Sequence, residues 1–364
     1  MVVASSPLRQ WTRRAILGAA TASGVFATKG QDGPGEAKKF LDPATEFEVL
    51  RVTGVEHNSW LPIASNRAFS RHGDALLFAS DVSGKPQLYR HEFKGNKLRQ
   101  LTEAEKLNTN TFFWTGSDRS VLYIDGRKLM QTASAKDRLV YELPEAWAES
   151  PRITASDDGL TVVVSSFNGT KTRIVMAGRL GATAEEREGD IGTLCMRPKR
   201  AAVSYVAAGG LRLLTLDSKK GVTLATAKGE VLSAYWTADG SSLLYLLKPE
   251  GTGKLTEIRE IVPEGNKDSL VTKTSQYGHF QRNGDASVFL GASASLASPH
   301  LLLMLRSVKR ELTICEHGCS DARMSRAVFS PNSSRVAFQT DRHKNLVIYS
   351  MAVDRLIEET EENT

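Results

Sequence analysis

A tight turn between two β-like runs recurs seven times along this chain, and its spacing constrains the fold more than any other feature. SRHG ends at Gly73, SDRS holds Arg119 and SDDG ends at Gly159. RPKR ends at Arg200, TADG at Gly240, QRNG at Gly284 and SPNS at Ser333, so the intervals are 46, 40, 41, 40, 44 and 49 residues. Each turn precedes a short apolar run: ALLFAS (75–80), VLYI (121–124), LTVVV (160–164), AAVSYV (201–206), SLLYLL (242–247), SVFLGA (287–292) and RVAFQT (335–340). Most runs are followed by a second alternating strand, such as QLYRHEF (87–93), LRLLTLD (211–217) or NLVIYSMAV (345–353).

A unit of about 40 residues built from short strands and turns is a small antiparallel sheet that cannot bury both faces alone. Stacking such sheets around an axis buries both faces and leaves only short, protected edges. Seven repeats therefore predict an all-β protein, a seven-bladed β-propeller of four-stranded antiparallel blades. A two-sheet sandwich does not repeat one turn signature at this spacing, and a helical solenoid lacks support because long 3.6-residue periods are absent. FEVLRVTG (47–54) precedes the first turn and reads as a spare outer strand. Left alone, the last blade would expose an edge, so this segment is expected to close the ring beside NLVIYSMAV.

Composition agrees with a globular body: of 364 residues 41% are hydrophobic and 24% charged, and no apolar run is long enough to span a membrane as a helix. The formal charge is +6. Arg9, Arg13 and Arg14 lie in an N-terminal stretch without acids, and the chain without them carries +3, too little and too scattered for nucleic-acid binding. That stretch, LRQWTRRAILGAATASGVFA (8–27), has a basic region, a mildly apolar Ala/Gly-rich region and a small-residue cleavage site. Thr12-Arg13-Arg14-Ala15 resembles a twin-arginine export signal. A Sec signal or an uncut anchor are the alternatives, and each puts the folded domain in the periplasm or outside a bacterial cell. The expected organisation is an export signal at 1–27, a Gly/Lys/Asp/Pro linker at 28–45, the propeller at 46–356 and an acidic tail at 357–364.

Local chemistry is sparse. No G-x-S-x-G elbow, H-E-x-x-H or P-loop is present. Cys315-Glu316-His317-Gly318-Cys319 can be read as a Cys315–Cys319 disulfide, as reduced thiols in a loop, or as part of a metal site. His57 with Asn58, Trp60, Asn66 and Arg67 could contact a sugar, or His57 could simply cap the propeller mouth. Trp114 and Trp236 precede blade turns and read as packing, and His72, His91, His300 and His343 as solvated.

The unit at 70–105 (SRHGDALLFASDVSGKPQLYRHEFKGNKLRQLTEAE) resembles a TolB-type, WD40-like blade, and SPNSSRVAFQTDRHKNLVIYSM (330–351) is a second copy. With GVEHNSW (54–60) and TFFWTGSDRSVLYIDGRKLM (111–130), the chain resembles the oligogalacturonate lyases, seven-bladed propellers that cleave short unsaturated pectin fragments by β-elimination. That resemblance implies a histidine base, an arginine on the substrate carboxylate, and manganese held by three histidines and a glutamine. Here Arg212 falls at the family's arginine and His279 at one metal histidine. Ser233 stands at the base position, Asp321 near the glutamine, and Met324-Ser325-Arg326 in place of a His-x-His pair. Arg326 would set positive charge where a divalent cation belongs, and Ser233 lacks a nearby activating base in sequence.

The expectation is an exported lyase-like propeller that has lost metal-dependent elimination and binds a uronate oligosaccharide or a protein at its central channel. No cofactor is then expected. The alternative is a divergent lyase, with Arg212 and Ser233 in catalytic roles, His279 on manganese, and His57, Arg67, Asp321 and Arg326 at the binding surface. His279, Ser233, Arg212, Asp321, Met324 and Arg326 are expected to cluster at one end of the channel, with Arg326 paired to Asp321.

Overall fold

The computed structural model describes residues 32–361, apart from 117, 134, 135, 179, 180 and 209. The export signal therefore lies outside the described residues. Seven antiparallel sheets follow one another around an axis. Blade 1 comprises Ser59–Trp60, Ala75–Ser80, Gln87–Glu92 and Lys97–Gln100, and blade 2 Leu107–Trp114, Ser120–Asp125, Lys128–Ala133 and Lys136–Glu142. Blades 3 to 6 begin with inner strands Glu149–Ala155, Ile191–Met196, Gly229–Trp236 and Tyr277–Arg282. Blade 7 takes Val328–Phe329, Arg335–His343 and Asn345–Ala352 from the end of the chain and Glu48–Arg51 from near its start. Leu50 pairs with Ser350 and Arg51 with Tyr349, which is the expected ring closure.

The repeated turn has one physical cause. In or just after each turn one residue sits in the left-handed region: Gly73, Asp118, Gly159, Lys199, Gly240, Ala286 and Ser333. Glycine takes that conformation without steric cost, and three of the seven blades use it. In five blades a polar turn residue also accepts a backbone N–H five residues on: Ala75 N to Ser70 Oγ, Thr161 N to Ser156 Oγ, Ser242 N to Thr237 Oγ1, Val288 N to Asn283 Oδ1 and Arg335 N to Ser330 Oγ. A short polar side chain thus satisfies a donor that the turn leaves without a backbone partner.

The core lies between blades. Leu77, Leu88, Phe112, Trp114 and Tyr123 pack blade 1 on blade 2, and Leu290, Leu303, Val336 and Phe338 pack blade 6 on blade 7. Each sheet buries both faces, so its central strands read as almost unbroken apolar runs.

Two segments differ from expectation. Within the stretch read as a linker, Asp32–Pro34 pairs with Lys97–Gln100 and Lys38–Leu41 with Glu48–Arg51. Each becomes a fifth, outermost strand, one on blade 1 and one on blade 7, so this stretch clasps the seam where the ring closes. The short outer strands there leave backbone groups to pair, Gly35 N donates to Asn96 O at 2.7 Å, and Phe40 packs edge-on against Tyr349. The acidic tail begins inside a helix, Asp354–Glu361, whose Ile357 is buried beside Val353. No helix among the described residues is long and apolar enough to cross a membrane.

Candidate functional site at the channel mouth

Inner strands of neighbouring blades touch around the axis. Most carry a register break early in the strand, at 107–112, 149–152, 191–194, 231–233 and 277–279. A bulge leaves a residue without a ladder partner and re-aims its neighbours. Ser233 and His279 immediately follow two of these breaks, near the mouth where the inner strands begin.

His279 is 8% exposed, and its Nε2 lies 2.8 Å from Ala327 O, across the blade 6–7 boundary. A carbonyl only accepts, so Nε2 carries the proton. Burial lowers the ring's pKa to about 4, with the nearby Arg326 charge acting in the same direction, and the imidazole is neutral at pH 7.

Arg326 sits in the left-handed region just after the short helix Ala322–Ser325. Its Nη1 donates to Leu61 O at 2.6 Å and its Nη2 to Asn110 Oδ1 at 2.5 Å. One side chain from blade 7 thus reaches blades 1 and 2. Burial alone lowers its pKa to about 10, so it keeps its charge at pH 7. It forms no ion pair among the described residues, leaving a held guanidinium with two neutral acceptors and no countercharge.

The other expected residues divide. Asp321 does not pair with Arg326. It caps the short helix and holds Arg323 instead, with Nη2 to Oδ2 at 2.7 Å and Nε to both oxygens, which lowers its own pKa. Met324 lies exposed beside it. Arg212 is not at the channel. It occupies the third strand of blade 4, Gly210–Thr215, where it meets Tyr205 Oη at 3.1 Å, Thr223 Oγ1 at 3.1 Å and Glu185 Oε1 at 3.3 Å of blade 3. Arg212 therefore lies outside the expected six-residue cluster. Ser233 is buried, and no histidine or carboxylate is hydrogen-bonded to its hydroxyl among the described residues.

His57 is half-buried just ahead of the inner strand of blade 1. Asn58 is structural: it bonds Asp81 and accepts Leu346 N from blade 7. Arg67 stands at the other end of the channel, since residues 63–67 run alongside 110–114 (Ile63 N to Asn110 O, Trp114 N to Arg67 O). There it pairs with Asp118 at 2.6 Å.

Cys315 and Cys319 are free, buried thiols rather than a disulfide. Cys315 points into the blade 6–7 core, while the Cys319 thiol donates to Gln339 O at 3.1 Å. His317 between them is not a metal ligand, because both ring nitrogens are engaged: Nε2 donates to Ser293 O at 2.9 Å and Nδ1 accepts Cys319 N at 3.0 Å. His91 is buried, not solvated, and bonds Asn96 Oδ1 at 2.9 Å.

Asn110 and Leu61 O gave no signal in the sequence. Each is an ordinary residue far from Arg326 along the chain, and only the closed ring makes them neighbours.

The residues at the mouth do not fit a divalent cation. Nowhere among the described residues do three His, Cys, Asp or Glu side chains converge to hold one. The one matching histidine donates Nε2–H to a carbonyl, and the Arg326 charge lies beside it. A manganese site needs neutral or anionic donors grouped together.

Residues 27–168, reaching into blade 3, match the family model described as oligogalacturonate lyase. An oligogalacturonide lyase of Pectobacterium atrosepticum is 26% identical over 133 residues, 36% of this chain and 34% of that protein, so the match spans about a third of the relative's length. A solved structure of oligogalacturonate lyase in complex with manganese superposes with a TM-score of 0.81 at 20% identity, covering 90% of this chain and 98% of that one. The oligogalacturonate lyase of Vibrio parahaemolyticus gives the same TM-score and identity, covering 90% and 99%. The family-model match covers the first blades, while similarity in fold extends around the ring. The chain is an oligogalacturonate lyase-like seven-bladed β-propeller.

Proposed function

We propose that this propeller binds short galacturonides at the channel mouth, taking a uronate carboxylate against the Arg326 guanidinium without a metal ion. The observation that carries this reading is the held, unpaired charge of Arg326. Its present partners are a carbonyl and an amide, and a carboxylate would form a charge-assisted hydrogen bond roughly twice as strong as a neutral one. The bond to Asn110 lies on the solvent side, so a ligand can compete for Nη2.

Elimination would also need a base for the proton next to the carboxylate. His279 is a weak base with a pKa of about 4, Ser233 lacks an activating partner, and Arg212 is bound to Glu185 on the outer part of blade 4. These features support binding over turnover. The likeness of blades 1 to 3 to the lyase family favours a second reading, a divergent lyase, for which a carboxylate held by Arg326 would be the starting complex. The Arg13-Arg14 stretch supports action outside the cytoplasm.

Calorimetry with unsaturated digalacturonate, with and without manganese, tests the proposal alongside a chromatographic assay for its cleavage. The expected result is saturable binding independent of manganese, with the ligand recovered intact. Manganese-dependent cleavage lost in His279→Ala would establish the lyase reading, and absence of binding would remove both.

A further inference from the structure

The opposite end of the channel, where the inner strands finish, holds a cavity of about 260 Å³ walled by blades 1 to 6. Arg282 enters it from blade 6. Its Nε donates to Trp236 O, and its Nη1 to Asn283 O at 2.7 Å and Gly284 O at 3.0 Å, which leaves Nη2. No carboxylate forms an ion pair with it among the described residues; Asp157, Asp239 and Asp285 act only at longer range. The other guanidinium in the wall, Arg67, is already neutralised by Asp118.

Trp236 also lines the cavity, is 3% exposed, and its Nε1 meets no acceptor. Trp114, at the corresponding position in blade 2, donates its Nε1 to Ala68 O at 3.1 Å. The buried hydroxyl of Ser65, in the same wall, is likewise without a partner. Cys195 adds no competing negative charge, since burial pushes its thiol up to about 12. Asp157 is exposed at the rim.

We infer that this second mouth binds a small organic carboxylate, held on Arg282 Nη2 beside the Trp236 indole. A carboxylate only accepts, which matches the one guanidinium nitrogen left without a partner. Its single charge matches one unpaired guanidinium, whereas a phosphate dianion would be left under-compensated. Aromatic faces from Phe113, Trp114 and Tyr235 suit a ring. The cavity gives room for a monomeric sugar acid. The inference is independent of the Arg326 reading, because no residue is shared.

The test is a titration of the intact mature protein with monomeric galacturonate, observed through the indole N–H resonances and assigned by Trp236→Phe. The Trp236 resonance is expected to shift saturably, with the apparent Kd raised tenfold or more in Arg282→Met and about threefold in Ser65→Ala, which keeps the test usable if the former does not fold. Arg326→Ala should leave the Trp236 shift intact while weakening digalacturonate at the other mouth. A resonance that does not move, that responds equally to phosphate, or that loses its response in Arg326→Ala overturns the inference.

Discussion

Arg326 and His279 touch the same turn of chain but answer to opposite physics. The guanidinium keeps its proton under burial because its pKa starts high, while the imidazole gives its proton up. Truncating Arg326 to Ala removes a charged donor worth about 1.5–3 kcal/mol. Digalacturonate affinity is therefore expected to fall about 10- to 100-fold by calorimetry. His279 makes stability depend on pH. Its pKa is about 4 folded and about 6.5 unfolded, so the unfolded state binds more protons between these values. Stability is full above pH 6.5 and is lost as pH falls toward 4, by about 2 kcal/mol between pH 7 and pH 5. Urea titrations at both values should show this drop shrinking in His279→Gln, and an unchanged drop would contradict the assignment. Both residues were visible in the sequence, but their partners were not. Asp321 looked available to Arg326, yet Arg323 lies two residues from it and the left-handed turn at Arg326 directs that side chain toward Leu61 and Asn110.

At the scale of strands, the turn signature and the apolar runs after it were legible because they are local: a left-handed residue, a short polar side chain and an alternating run all fall within a dozen positions. The outer strands were less so. Asp32–Pro34 and Lys38–Leu41 are polar, exposed and rich in Gly, Pro and Lys, the composition of a linker, and only the open edges of two short strands recruit them. Likewise Arg212 is on a strand that the sequence places correctly in blade 4, but which strand of a blade faces the axis depends on the stacking. Glu48–Arg51 closes the ring, and its Val49 is 1% exposed. Val49→Asp would bury an uncompensated charge at the seam, and a loss of about 3–5 kcal/mol is expected in chemical denaturation. A change under 1 kcal/mol would mean that the strand is dispensable.

On the scale of the molecule, the ring gathers single residues from distant blades at two mouths, one marked by Arg326 and the other by Arg282. Their separation follows from strand direction, since inner strands all start at one end and finish at the other. The N-terminal arginines belong to this scale too: replacing Arg13 and Arg14 together by Lys should abolish export through a twin-arginine route, as read by cell fractionation, whereas unimpaired export would indicate a Sec signal. The central claim is that a carboxylate is recognised by the charge on Arg326. Calorimetric comparison of digalacturonate with its methyl ester, on the unmodified protein and on Arg326→Gln, tests it most directly. The account predicts that esterification weakens binding by at least tenfold on the unmodified protein and hardly at all on Arg326→Gln. Equal affinity for acid and ester on the unmodified protein would contradict it.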